Sequence, residues 1–269
     1  GDALWYSQFY GGNDTDVAYA LAVDAAGAIH IAGYTLSSKL TFADLTPTQA
    51  AGQGGYEGFL VKIAPVAAKP LAFATYFGGS STDVITAIAV DAPGSIYFAG
   101  YTSSTNFPIT GDGFQTEMGS SVEAFLVRLD LSRPGLDSLV YGTYLGGDGL
   151  DVARAMRLDG AGGLWLAGYT TSRNFPVTPN AYRTANAGWA DLFLTRLDLA
   201  RLTSPGAVTY STYVGGADTD VLYGMSLAPG GRVALAGYTS GARGPKAFLS
   251  LLDPALPGPG ALVYSAQFG

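Results

Sequence analysis

Cysteine is absent from all 269 residues, which removes disulfides, thiolate nucleophiles and zinc–thiolate centres together. Histidine occurs once, as His30, so a catalytic triad or an imidazole ligand would have to be built on that side chain alone. Lysine, glutamate and methionine are scarce while glycine reaches 38 residues, a balance that favours strands and turns over helices. No run of Lys or Arg interrupts a chain of net charge −7, so nucleic acid and anionic membranes find no positive face. No apolar stretch approaches the roughly 18 residues of a membrane span, so no membrane insertion is expected. The chain opens at Gly1 without an initiator Met or a signal-like stretch, which reads as a processed or excised boundary. The lack of cysteine leaves the compartment open, because a large core makes covalent staples unnecessary.

What is present is a repeat. Gly-Gly pairs begin at Gly11, Gly78, Gly146 and Gly215, and "GYT" triplets at Gly33, Gly100, Gly168 and Gly237; both landmarks step by 67, 68 and 69 residues. Two independent markers with the same spacing describe a modular array in which each unit buries its faces on its neighbours. The repeats run over about 11–77, 78–145, 146–214 and 215–269, with 1–10 as an extra strand equivalent to the last strand of a repeat.

Four strand-like runs fill a unit. In the second they are Ala87 to Asp91, Ser95 to Thr102, Ala124 to Asp130 and Ser138 to Gly147. "DAPG", with Asp, Pro and Gly, reads as a tight hairpin turn, and "DAAG" and "DGAG" hold its place in repeats one and three. Ile88 and Val90 share one side with Ala87 and Ala89 on the other, and Ile96 and Phe98 oppose Tyr97 and Ala99, so both sides are apolar and both are covered. An all-β chain of small antiparallel four-stranded sheets, each packed between copies of itself, is a β-propeller in a single domain.

The series "GGxxTDVxxAIAVDxxGxIYxAGYTxSxNFP", then "AFLVRLD" and "LVYSTYxGG", resembles the SBBP repeat, the seven-bladed β-propeller repeat of bacterial surface and secreted proteins. The resemblance spans nearly the whole chain. It implies a bacterial extracellular or cell-surface propeller module and brings no shared catalytic residues. The fourth repeat departs from it: Ala228 replaces the Asp of "AVD", "NFP" is missing, and Thr239 connects to Lys246 far more briefly, which suits an edge unit.

"ALWYSQFYGG" at the start and "ALVYSAQFG" at the end both resemble the fourth-strand run. That makes five copies of one strand against four of each other. Three readings stand: a longer array cut at a repeat boundary, a closed ring with one strand displaced, or a subunit donating its spare strand head to tail. The strands that would carry such assembly hold Leu4, Trp5, Tyr6 and Phe9, and Leu262, Val263, Tyr264 and Phe268.

Asp16, Asp83, Asp151 and Asp220 stand at one repeated position after Gly-Gly. If the strands they precede line an axis, four carboxylates ring one mouth of a channel, where Ca²⁺ is the one cofactor to consider; the other reading is that each bonds the amides of its own turn. His30 reads as a packed strand residue. Tyr34, Tyr101, Tyr169 and Tyr238 read as inter-blade packing or as a stacking surface for sugars. Glu57, Glu123 and Asp191 precede the third strand with Lys62, Arg128 and Arg196 five residues on, and parity sends each to a partner on an adjacent strand or blade. The long connections before the third strand carry Phe42, Phe114, Tyr182 and Trp189, the candidate ligand-binding aromatics, although the shared "NFP" pieces equally suit packing on the blade. No concentrated set of acid, base and nucleophile is visible. The reading is a non-enzymatic structural or interaction module whose partner is itself or another cell-surface protein. The alternative is a carbohydrate- or peptide-binding propeller using its long loops.

Overall fold

The computed structural model describes residues 6–40, 46–64, 70–91, 94–242 and 244–269. They form four sheets of four antiparallel strands, each sheet in simple sequence order. The first blade holds β1 (Asp16–Val23), β2 (Ile29–Thr35), β3 (Glu57–Ile63) and β4 (Leu71–Phe77). The second holds β5 (Asp83–Val90), β6 (Ser95–Thr102), β7 (Glu123–Asp130) and β8 (Leu139–Leu145), and the third β9 (Asp151–Leu158), β10 (Gly163–Thr170), β11 (Asp191–Asp198) and β12 (Val208–Val214). The fourth holds β13 (Thr219–Ala228), β14 (Arg232–Gly241), β15 (Gly244–Leu252) and β16 (Leu262–Phe268). This is the blade architecture of a β-propeller.

The hairpins follow from the turn residues. Asp24 Oδ1 accepts from the backbone N–H of Ala26 at 3.0 Å and of Ala28 at 2.9 Å, and Asp159 does the same for Ala161 and Gly163 at 2.8 Å each. Gly27 takes φ 80° in the first of these turns, a conformation that favours glycine. The second carboxylate oxygen reaches sideways, to Lys62 at 3.1 Å and to Arg196 at 2.6 Å respectively. These cations therefore pair with the hairpin aspartate of their own blade, two strands away, and not with the acid at the start of their own strand.

Each innermost strand carries a β-bulge at the same place. Pairing skips one residue between Ala18 and Ala20, Ile85 and Ala87, Ala153 and Ala155, and Leu222 and Gly224. Tyr19, Thr86, Arg154 and Tyr223 are the residues left without a ladder partner. The bulge swings a carbonyl toward the "GYT" glycine: a Cβ on Gly100 would lie 1.8 Å from the Val84 oxygen, and Gly33, Gly168 and Gly237 meet Val17, Val152 and Val221 in the same way. The repeated glycine is the room the bulge needs.

The blades stack in sequence order. Strands β1 to β3 pack on β5, β5 to β7 on β9, and β9 to β11 on β13. Ile88, Ile96, Phe98, Phe125 and Val127 of the second blade form one core with the first, while Ala87, Tyr97, Ala99 and Leu126 form another with the third. The two apolar sides expected from parity are both buried. Among the described residues no strand of the fourth blade packs in this way on the first, so the stack has two end faces. At one end Leu21 and Val23 are 63% and 58% exposed, whereas Ile88, which matches Leu21 one repeat later, is 6% exposed. At the other, Leu249, Tyr264 and Phe268 are exposed, although Leu126 and Tyr141, the counterparts of the first two in blade two, are buried.

The N-terminal copy of the fourth strand behaves differently from its relatives. Leu4 and Trp5 lie outside the described residues, and residues 6–10 join no sheet. Tyr6 and Tyr10 instead pack over Phe59, Val61 and Ile63 on the outer part of the first end face, while Phe9 is fully exposed. Leu262, Val263, Tyr264 and Phe268 lie in β16, paired with β15 of their own blade.

Candidate functional site

Asp83 and Asp151 are each the first residue of an innermost strand and wholly buried. Asp83 Oδ2 accepts from Gly79 N at 2.7 Å and Ser104 Oγ at 2.9 Å, and its Oδ1 accepts from Thr102. Asp151 repeats this with Gly147 N at 2.9 Å and Ser172 Oγ at 2.7 Å. Asp16 takes Gly12 N, Thr35 and Ser37, and Asp220 takes Gly216 N at 2.8 Å. Each carboxylate thus ties the Gly-Gly turn to the end of the second strand, a local structural role. No group of three acidic or histidine side chains placed to hold a metal ion occurs among the described residues.

A second carboxylate faces three of them across each blade junction. A Cβ on Gly146 would lie 2.3 Å from Asp151 Oδ2 and 2.5 Å from Glu123 Oε1; on Gly215 it would meet Asp191 at 2.5 Å and Asp220 at 2.7 Å. Only a glycine hydrogen fits between them. Gln49 and Gln115 donate to Glu57 and Glu123 at 2.8 and 2.7 Å while accepting from the Gly78 and Gly146 amides. In the third junction Arg183 replaces glutamine and donates to the Gly215 carbonyl at 2.7 Å, and the acid shortens to Asp191. Burial pushes Glu57, Glu123, Asp83 and Asp220 above the ordinary carboxylate range, and Asp151 and Asp191 up to about 6. Asp83, Glu123, Asp151 and Asp191 are 0% exposed, whereas Asp220, 6% exposed, borders a cavity of about 220 Å³; a paired-carboxylate knot recurs at every junction.

His30 is buried with Nε2 3.1 Å from Asp24 Oδ2, and burial holds its pKa below the usual imidazole value. It is a packed strand residue, as its repeat position predicts. Phe107 and Phe175 of the two "NFP" pieces are buried against Phe125 and Phe193, with ring centroids 4.3 and 4.6 Å apart. Those pieces pack on the blade. Tyr144 and Tyr213 donate to the Ser104 and Ser172 carbonyls, fastening the same loops.

The inner edge of the blades is open to ligand. The half-buried "GYT" tyrosines stand beside the bulge residues: Tyr34 lies 5.8 Å from Tyr19, Tyr238 lies 5.7 Å from Tyr223, and Arg154 sits 5.7 Å over the Tyr169 ring. Between β9 and β13 they wall a groove of about 630 Å³ with Arg154, Tyr169, Arg173, Trp189, Tyr223 and Tyr238. Trp189 is 79% exposed there. Tyr182 lines a separate cavity of about 220 Å³ with Asp218 and Asp220, Phe114 lies on the second blade's loop, and Phe42 is outside the described residues. The loop aromatics are therefore not gathered into one site, and only Trp189 joins the groove. The bulge residues look like any strand residue; the sole signal is that this position holds Tyr19, Thr86, Arg154 and Tyr223, two of them tyrosine, between flanking positions that stay small or apolar.

A family model described as "Beta-propeller repeat", SBBP, matches residues 72–108, from β4 through β5 and β6 to the end of the first "NFP". Curated proteins offer no match. Among solved structures, that of Sqt1 from Chaetomium thermophilum is 13% identical, with 97% of this chain and 88% of that chain covered at a TM-score of 0.27; so loose a likeness carries no argument. The repeat family and the propeller-like fold together support an interaction module, and the chain resembles the SBBP β-propeller repeat family in both sequence and blade architecture.

Proposed function

We propose that this chain is a non-enzymatic module of the bacterial cell exterior that joins like modules through its two end faces. One observation carries the reading: Leu21 and Val23 at one end, and Leu249, Tyr264 and Phe268 at the other, occupy the positions that pair blade to blade inside the molecule, and here they are exposed. A face built to meet the next blade is complementary to the first blade of a second copy. Such a contact is heterologous, so it closes into a ring or grows into a filament according to its rotation. The resemblance to SBBP repeats supports the extracellular setting. Donation of a spare strand is a weaker form of the idea, since β16 is already paired in its own blade and residues 6–10 form no strand.

Light scattering over a concentration series tests it. The expected outcome is association in multiples of 27.7 kDa. Leu21→Asp and Leu249→Asp, at opposite ends, should each stop growth, yet an equimolar mixture should yield capped pairs because each variant keeps one intact face. Deleting residues 1–10 should strengthen association by uncovering Phe59 and Val61; loss of association on that deletion would point to strand donation. A wild-type monomer at all concentrations would sink the proposal.

A further inference from the structure

The groove between β9 and β13 has a chemistry that end-to-end association does not use. Its lining contains two guanidinium groups, Arg154 and Arg173, four aromatic rings and the hydroxyls of Thr171 and Thr219, but no carboxylate among the described residues. In a chain of net charge −7, two arginines without an acid between them are conspicuous. Arg154 forms no ion pair among the described residues, and its Nε is buried with no hydrogen-bond partner. A buried unpaired donor on a charged group is costly to leave unmade. Arg196, five residues beyond Asp191, is bonded to Asp159. Arg128 shares the unpartnered buried Nε but reaches Ser95 Oγ through Nη2 at 3.4 Å and does not line this groove, so Arg154 is the one of the two that faces it.

Position adds to this. Arg154 stands at the bulge, out of the ladder, where a side chain is aimed by the backbone and not by a cross-strand partner. Tyr169 supports the guanidinium from one side, holding its fork ready for a planar anion. Trp189 and Tyr223, 79% and 71% exposed, offer broad flat faces to the same space. The volume of about 630 Å³ falls in the range of about 300–1,000 Å³ usual for small-molecule sites.

We propose that this groove binds a carboxylated sugar, a uronate unit of an acidic saccharide. The carboxylate pairs with Arg154, and with Arg173 at the rim, in charge-assisted hydrogen bonds. The C–H face of the pyranose ring lies on Trp189 or Tyr223, whose ring faces carry partial negative charge. An acidic peptide has the same charge but would bind an inner strand by extending its ladder, and the bulge at Arg154 interrupts the edge it would need. Thr219 is the hydroxyl partner for the sugar oxygens, Thr171 Oγ1 being held by the Leu150 backbone amide at 2.7 Å.

Calorimetric titration of the full chain with tri-galacturonate, maltotriose and penta-glutamate, at about 50 mM salt where ionic contacts are not yet screened, decides the matter. Tri-galacturonate should bind saturably and maltotriose at least about tenfold more weakly, a difference of about 1.4 kcal/mol. Arg154→Gln and Trp189→Ala should each weaken tri-galacturonate by about tenfold or more, with Arg154→Lys between wild type and Arg154→Gln. Trp189 is so exposed that its alanine variant should melt as wild type does, which guards against reading misfolding as lost binding. The proposal is overturned by no binding of tri-galacturonate, by equal binding of maltotriose, by variants that bind as wild type, or by penta-glutamate binding in its place, which would make the groove a peptide site. None of these results depends on whether the end faces associate.

Discussion

At the scale of single residues the molecule is organised around buried carboxylates, and they set its response to pH. Asp151 and Asp191 hold their protons up to about pH 6 in the folded chain, and Asp83, Asp220, Glu57 and Glu123 are shifted in the same direction. Unfolded, all six would release their protons near pH 4. Between those limits the native state binds more protons than the unfolded one, so stability falls as pH rises through this window. His30 works the other way: its folded pKa is lowered, so the stability it contributes is present above pH 6.5 and lost as pH falls. Between pH 7 and 5 the two carboxylates raised to about 6, Asp151 and Asp191, outnumber the single imidazole, and the other four add in the same direction. The melting temperature should therefore rise as the pH is taken from 7 to 5, and Asp151→Asn should flatten that rise. A melting temperature that drops steadily over the same interval would show that the carboxylates are ionised and solvated in the native state.

The next scale is the junction between elements, where the three knots vary in a compensated way. Glutamine with glutamate, twice, becomes Arg183 with Asp191, each pair eight residues apart. Arginine is longer than glutamine and aspartate shorter than glutamate; Arg183 reaches the Gly215 carbonyl and supplies a positive charge near Asp191 in place of the direct hydrogen bond. Arg183→Gln should cost about 2 kcal/mol by leaving Asp191 and Asp220 without a nearby cation, and adding Asp191→Glu should recover about half or more by rebuilding the pair found in the first two junctions. Additive losses in denaturant titration would rule the compensation out. The elements themselves were largely legible: β6 runs from Ser95 to Thr102 as its residues indicate, and the alternation of Ile88 and Val90 with Ala87 and Ala89 named the two buried sides correctly. What could not be read was the start of β5 at Asp83, four residues before Ala87, because the bulge at Thr86 breaks the alternation there. The acids before the third strand were visible as a repeat, but their partners across the junction were not, since glutamine in a long connection announces nothing about where its loop folds back.

At the scale of the whole molecule the blades are not equal. The second and third are covered on both sides, whereas the fourth has lost "NFP" and carries Gln267 where Tyr144 and Tyr213 tie down loops in the blades before it. In a stack whose units touch only their neighbours, such an end unit opens first. Amide exchange should accordingly be fastest in β13 to β16 and slowest in β5 to β12, as read by mass spectrometry on peptides from each blade; uniform protection would mean the array unfolds as one unit. The bulges carry a different consequence. A residue outside the ladder can change without disturbing strand pairing, so Tyr19, Arg154 and Tyr223 occupy places where the repeat is free to diverge, while Thr86 is committed to the Ala153 carbonyl at 2.7 Å. Copying a blade thus duplicates a scaffold together with one writable letter, and an array lengthened by such copying would acquire new recognition by spelling, with its framework left untouched.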